Sequence, residues 1–75
     1  MAIPKLTAEE RHAMRLSLMD CPPKQIAAAN QVAAFLAEDE DDVDNAFLVY
    51  TFHFSQPENE AELRDVMKQL GLAGF

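Results

Sequence analysis

The sequence predicts an all-α protein, a compact bundle of about four short helices that form a single small domain over residues 1–75. Three observations support this class. Apolar residues recur at helical spacing in separate stretches; helix-start and helix-stop signals flank those stretches; and no second convincing strand is present to form a sheet. A chain of 75 residues is near the size at which one core is only just sufficient.

The first helix is predicted from Thr7 to about Asp20, after a lead-in over Met1–Leu6 that we expect to be loose. The sequence TAEE at its start fits a capping box, in which the threonine and the second glutamate satisfy each other's backbone amides. We expect one apolar face to point to the core, namely Ala8, His12, Leu16 and Met19. Met14 and Leu18 point the other way, which indicates either an interface with another protein or a first helix that packs between two others.

The second helix is predicted over Lys24–Ala37, because Cys21-Pro22-Pro23 ends the first helix and proline is favoured at a first helical position. Its alanines allow close approach by neighbouring helices. Its expected core face consists of Ala28, Ala29, Val32, Phe35 and Leu36.

Six of the seven residues in Glu38–Asp44 are acidic. Like charges at this density resist a continuous helix, so a break is expected here. The run does not fit a calcium loop, because Val43 or Ala46 falls at a ligand position and the central glycine is missing. It is therefore interpreted as a solvated turn that caps the next helix, or as a patch that meets a basic partner or mimics phosphates.

The segment Val43–Phe54 holds three of the five phenylalanines and the only tyrosine, so the core should form around it. Its alternation also suits a strand, but a lone strand leaves backbone groups unpaired. We predict a helix, with a strand paired across a dimer as the alternative; the N-cap would be Asp41, Asp42 or Asp44. The helix has a surplus apolar face that needs other helices or a second copy of the chain: Leu48, Val49 and Phe52.

The last helix is predicted after Pro57, with an Asn-Glu-Ala-Glu start at Asn59–Glu62. Apolar residues then follow at helical spacing, at Leu63, Val66, Met67 and Leu70. Gly71 stands where a glycine commonly ends a helix. Leu72 could fold back on the last turn, leaving Gly74-Phe75 as an apolar end.

No catalytic, cofactor or metal site is predicted. The single cysteine and two histidines are widely separated and lack zinc-ligand spacing. Cys21 has only Lys24 as a nearby cation to activate it. Neither histidine has a recognisable nucleophile or orienting carboxylate, and there is no glycine-rich phosphate loop. We expect a protein that is not an enzyme.

The formal net charge of −7 repels phosphate backbones and anionic membranes. Together with the absence of a signal-like segment or a bilayer-length apolar stretch, this predicts a soluble, cytoplasmic protein that binds neither nucleic acid directly nor a membrane.

The leading functional hypothesis is an acidic, non-enzymatic protein-binding module, a small regulator or inhibitor that occludes a surface of a larger protein. The expected partner carries a basic surface, and the chain is expected to form a homodimer. The expected apolar anchors are Met14, Leu18, Leu48, Phe52 and Phe75, and the expected steering carboxylates are Glu38, Asp39, Glu40, Asp41 and Asp42. One alternative is a nucleic-acid mimic that occupies a DNA- or RNA-binding groove. Another is a small helix-turn-helix regulator, although its reading helix would carry only Arg64 and Lys68 among four acidic residues.

Overall fold

The computed structural model describes residues 3–73, which fold into four α-helices and one 3₁₀ turn. The helices are α1 (Ala8–Leu18), α2 (Pro23–Ala37), α3 (Val43–Ser55) and α4 (Glu60–Leu70), and the 3₁₀ turn at Pro57–Asn59 joins α3 to α4. These residues contain no strand. The predicted all-α bundle is confirmed, and the alternative of a strand for the third element is wrong.

Local side-chain caps start α1 and α3. The Glu10 amide donates to the Thr7 hydroxyl at 3.1 Å, and the Thr7 amide donates to the Glu10 carboxylate at 2.9 Å, so both halves of the capping box are present. Of the three candidate caps for α3, Asp42 takes the position and accepts from the Asn45 amide at 3.1 Å. Each cap satisfies a backbone donor that the first helical turn leaves unpaired.

The α4 helix ends at Gly71, as predicted. Gly71 has a φ of 74°, a conformation that an L side chain rarely adopts. The Leu72 amide donates to the Met67 carbonyl at 2.9 Å, which is the hydrogen bond of a Schellman motif that spans more residues of the chain. Leu72 also packs against the core, as expected.

The core forms where the alanine-rich face of α2 meets α3, with α4 packed beside them. The small side chains of α2 let the aromatic residues Tyr50 and Phe54 of α3 approach closely, and Leu63 and Met67 of α4 complete the cluster. The buried α2 residues of this cluster are Ala28, Ala29, Val32, Ala33 and Ala37. Phe35 was expected in this face but is 50% exposed. The core stripe of α2 is centred on its alanines instead, and Phe35 lies beyond its edge.

Three side-chain amides satisfy the last carbonyls of α3, which have no partner within the helix. Gln56 donates to the Phe52 carbonyl at 3.1 Å, and Asn59 donates to the His53 carbonyl at 2.8 Å. The buried Gln25 of α2 donates to the Phe54 carbonyl at 3.0 Å. The end of the aromatic helix is thus tied both to the following turn and to α2.

The N-terminal segment is held by a second buried amide. Asn45 accepts from the Leu6 amide at 2.9 Å and donates to the Pro4 carbonyl at 2.9 Å. Leu6 is buried and Ile3 packs against the core. The expectation of a loose lead-in is therefore wrong for residues 3–6, because Asn45 replaces the hydrogen bonds that this extended backbone would otherwise make with water.

Candidate interaction surface

Two large apolar side chains are exposed at the start of α3. Val43 and Phe47 lie one helical turn apart and are 49% and 36% exposed, respectively. Asp41 and Asp44, both exposed, lie beside them. We call Asp41, Val43, Asp44 and Phe47 the α3 shoulder. It combines apolar area with carboxylates on one edge of the bundle.

The thickness of the molecule explains why this apolar area remains outside. The Cα atoms span 32 × 28 × 16 Å. Since packed helices lie about 8–10 Å apart, the shortest dimension holds only about two helix layers. A helix as apolar as α3 cannot be enclosed on every side in such a thin bundle, and its first two turns reach the solvent.

The acidic run divides into two groups. Glu38, Asp39, Asp41 and Asp44 are exposed. Asp42 is half-buried, since it caps α3 and its carboxylate lies 3.6 Å from the Arg11 guanidinium. Glu40 is also half-buried. The exposed group is the one that a partner could meet without breaking an internal contact.

Glu40 lies beside the only tyrosine of the chain. The Tyr50 hydroxyl donates to the Glu40 carboxylate across 3.5 Å. Burial of the phenol raises the pKa of Tyr50, and the negative charge of Glu40 and this hydrogen bond raise it further. The Tyr50 phenol is therefore neutral in the folded state, where its hydrogen bond to Glu40 joins α3 to the turn between α2 and α3.

The outward face of α1 is the opposite of the one expected. Leu16 and Met19 are 52% and 79% exposed, whereas Met14 and Leu18 are half-buried. No residue of α1 is fully buried, and the helix packs mainly on α3. The predicted core face is wrong because α1 carries two apolar stripes, and the stripe with Met14 and Leu18 is the one turned toward the bundle. We call His12, Arg15, Leu16 and Met19 the α1 outer face.

A groove of about 440 Å³ lies between α1, α2 and α3, next to both surfaces. Arg15 of the α1 outer face lines it, as do Asp44 and Phe47 of the α3 shoulder. The remaining lining residues are Arg11, Leu18, Ile26, Asn30, Leu48 and Thr51. The two surfaces are therefore neighbours across one groove.

The predicted anchors fall mostly inside the bundle. Leu48 is buried on α3, the helix on which α1 packs, so it is not an exposed anchor. Phe52 is half-buried, as are Met14 and Leu18. Phe75 lies outside the described residues. In place of these residues, the structure exposes Val43 and Phe47.

The single cysteine and one of the two histidines are held in contacts between or within helices. Cys21 is buried, and its thiol points to the Ser17 carbonyl at 3.7 Å. His53 lies 2.5 Å from the Glu62 carboxylate and joins α3 to α4, so the expectation that neither histidine has a carboxylate partner is wrong for His53. Within residues 3–73 no three carboxylate, imidazole or thiol side chains gather into a metal-binding group. In the same range, no helix has both the length and the apolar composition needed to cross a membrane.

The fold defines a small all-α bundle with an acidic, partly apolar edge. No protein-family model, curated protein or solved structure matches the chain. The functional argument therefore depends on the surface itself.

The sequence did contain one signal for the α3 shoulder. Val43 and Phe47 directly follow a run of carboxylates, and a helix entering the bundle from a solvated turn leaves its first turns at the periphery. Five large apolar side chains are exposed in the described part of the chain: Leu16, Met19, Phe35, Val43 and Phe47. The periodicity argument assigned Leu16, Met19 and Phe35 to inward faces, because spacing alone does not indicate which stripe a neighbour will cover.

Proposed function

We propose that this protein is a non-enzymatic binding module that occludes a surface of a larger protein. The observation that carries the proposal is the α3 shoulder, where Val43 and Phe47 are exposed together beside carboxylates. Exposed apolar side chains that are rimmed by polar residues are typical of protein interaction sites.

The proposed partner surface is basic around an apolar depression. Phe47 would enter the depression, since buried aromatic side chains supply most of the affinity in such contacts. Asp41 and Asp44, with Glu38 and Asp39, would attract basic residues and speed association. The formal charge of −7 agrees with this choice of partner.

The test is affinity capture from a lysate of the native host with matched variants. Phe47→Ser removes the central anchor. Phe35→Ser is the control, because Phe35 is at least as exposed but belongs to α2, outside the α3 shoulder. We expect one protein to be captured by the wild type and by Phe35→Ser and lost from Phe47→Ser, while both variants keep the wild-type helical circular dichroism.

Equal capture by the two variants would refute the α3 shoulder as the contact. The salt dependence of capture distinguishes the proposed module from the main alternative, a nucleic-acid mimic. A mimic should lose its partner at high salt and keep it after Phe47→Ser, since its affinity comes from carboxylates. A gel shift with DNA that persists at moderate salt would favour the helix-turn-helix alternative instead.

We also propose that the chain forms a homodimer. Leu16 and Met19 of the α1 outer face, like Val43 and Phe47, have large exposed fractions within one subunit. Burial of such side chains against a second copy is favourable. Sedimentation over a range of concentrations tests this part of the proposal independently of any other partner.

A further inference from the structure

We infer that the homodimer forms by reciprocal packing of the α1 outer face of each copy on the α3 shoulder of the other. The inference rests on the homodimer part of the proposed function and specifies its interface. Its basis is that the two surfaces are both apolar and carry opposite charge.

The α1 outer face is apolar and carries one formal positive charge, on Arg15. His12, Arg15, Leu16 and Met19 follow the i, i+3, i+4, i+7 spacing and are all exposed, so they form one stripe. Arg15 makes no ion pair with any residue between 3 and 73. Its guanidinium is thus available for a carboxylate outside the subunit.

The α3 shoulder has the complementary character. Asp44 is exposed and, within the described part of the chain, has no ion-pair partner, although it lines the same groove as Arg15. Val43 and Phe47 lie on either side of it along the helix. An Asp44 carboxylate that meets Arg15 of a second copy would bring these apolar residues onto Leu16 and Met19.

The adjacency of the two surfaces makes the contact compatible with two-fold symmetry. In a symmetric dimer, if residue i of one copy contacts residue j of the other, then residue j of the first copy contacts residue i of the second. Because both surfaces border one groove, a two-fold rotation can place the α1 outer face of each copy on the α3 shoulder of the other. The contact is small compared with the roughly 20–30 residues a side of a standard interface, so we expect a weak dimer.

One functional consequence follows. The second copy would cover Phe47, the residue that the proposed function assigns to the partner. Dimerisation and partner binding would then exclude each other, and the monomer would be the binding-competent form.

A charge-exchange experiment tests the interface. Arg15→Glu and Asp44→Lys each place like charges at both contacts of a symmetric dimer, and we expect either variant alone to raise the dissociation constant about tenfold or more. An equimolar mixture of the two variants restores opposite charges at both contacts of the mixed dimer. Sedimentation equilibrium of the mixture should therefore return close to the wild-type value.

The mixture separates contacts between copies from contacts within one chain. If Arg15 and Asp44 acted only within one subunit across the groove, the mixture could not restore assembly, and that result would overturn the inference. A wild-type dimer that neither variant weakens would overturn the inferred interface and leave the homodimer standing. A wild-type chain that stays monomeric at millimolar concentration would overturn both, without bearing on partner capture.

A second pair of variants avoids any effect of charge on helix stability. Met19→Ser changes the most exposed large apolar side chain, and Phe35→Ser changes one outside both surfaces. We expect Met19→Ser to weaken the dimer severalfold and Phe35→Ser to leave it unchanged. Equal weakening by both would contradict the assigned faces.

Discussion

Gln25 allows a quantitative test of how the aromatic helix is held in place. This side chain is 2% exposed, and its amide group donates to the Phe54 carbonyl at 3.0 Å and to the Gln56 carbonyl at 2.6 Å. Replacing it by methionine keeps the length of the side chain and removes both donors. The Phe54 carbonyl then stays buried without this partner, whereas the part-buried Gln56 carbonyl can recover water.

The expected cost follows from these two sites. An unsatisfied buried acceptor costs about 1–3 kcal/mol, and a lost hydrogen bond that water partly replaces costs about 1 kcal/mol, so Gln25→Met should lower the free energy of unfolding by about 2–4 kcal/mol. A chain of this length has a total stability of about 4–11 kcal/mol. The midpoint of thermal unfolding should fall by about 10–25 °C.

Urea denaturation followed by far-ultraviolet circular dichroism measures the effect, at a concentration low enough to keep the chain monomeric. Gln31→Met is the matched control, because Gln31 is an exposed glutamine on the same helix; it should change stability by less than about 0.5 kcal/mol. If the two variants were equally stable, the Gln25 contacts would have no structural role and the reasoning would fail.

Gln25→Glu adds a dependence on pH whose sign is fixed by the geometry. An ionised carboxylate facing two carbonyl oxygens in a buried site is disfavoured, so the folded-state pKa of the new group lies above its unfolded value of about 4.3. Its contribution to stability is therefore present below that unfolded value and is lost as the pH rises through the folded-state pKa. The variant should approach the wild type in acid and fall behind it at neutral pH.

Two further predictions concern Tyr50 and α1. Because the pKa of Tyr50 is raised in the fold, its contribution to stability is complete below about pH 10 and is lost as the pH rises through the folded-state pKa. Absorbance titration of this single tyrosine should give a higher pKa in the folded protein than in the unfolded chain. Glu40→Gln should lower the folded-state pKa part of the way toward the unfolded value. In α1, Leu18→Ala should destabilise the monomer by about 1–2 kcal/mol because Leu18 is half-buried, whereas Leu16→Ala should change it by less than about 0.5 kcal/mol; equal losses in denaturation would contradict the observed orientation of α1.

The local features of the fold could be predicted because their causes lie within a few residues of one another. The Thr7 capping box, the prolines that begin α2 and the glycine that ends α4 each act through backbone groups of the adjacent turn. The helical state of α3 also followed from the sequence, since no second strand was present to pair with it. A capping aspartate was expected there as well, and the structure selects Asp42 from the three candidates.

The sequence by itself determined that four helices form and that α3 is too apolar to face water all round. Only the tertiary structure decided which stripe of α1 packs on α3, that Phe35 lies outside the core, and that Gln25 and Asn45 are buried. These outcomes depend on how helices align with one another. The free energies of burying the two apolar stripes of α1 differ too little for residue spacing to show which stripe packs inward. The contribution of a buried side-chain amide to stability depends on carbonyl or amide groups 29 to 41 positions away in the sequence.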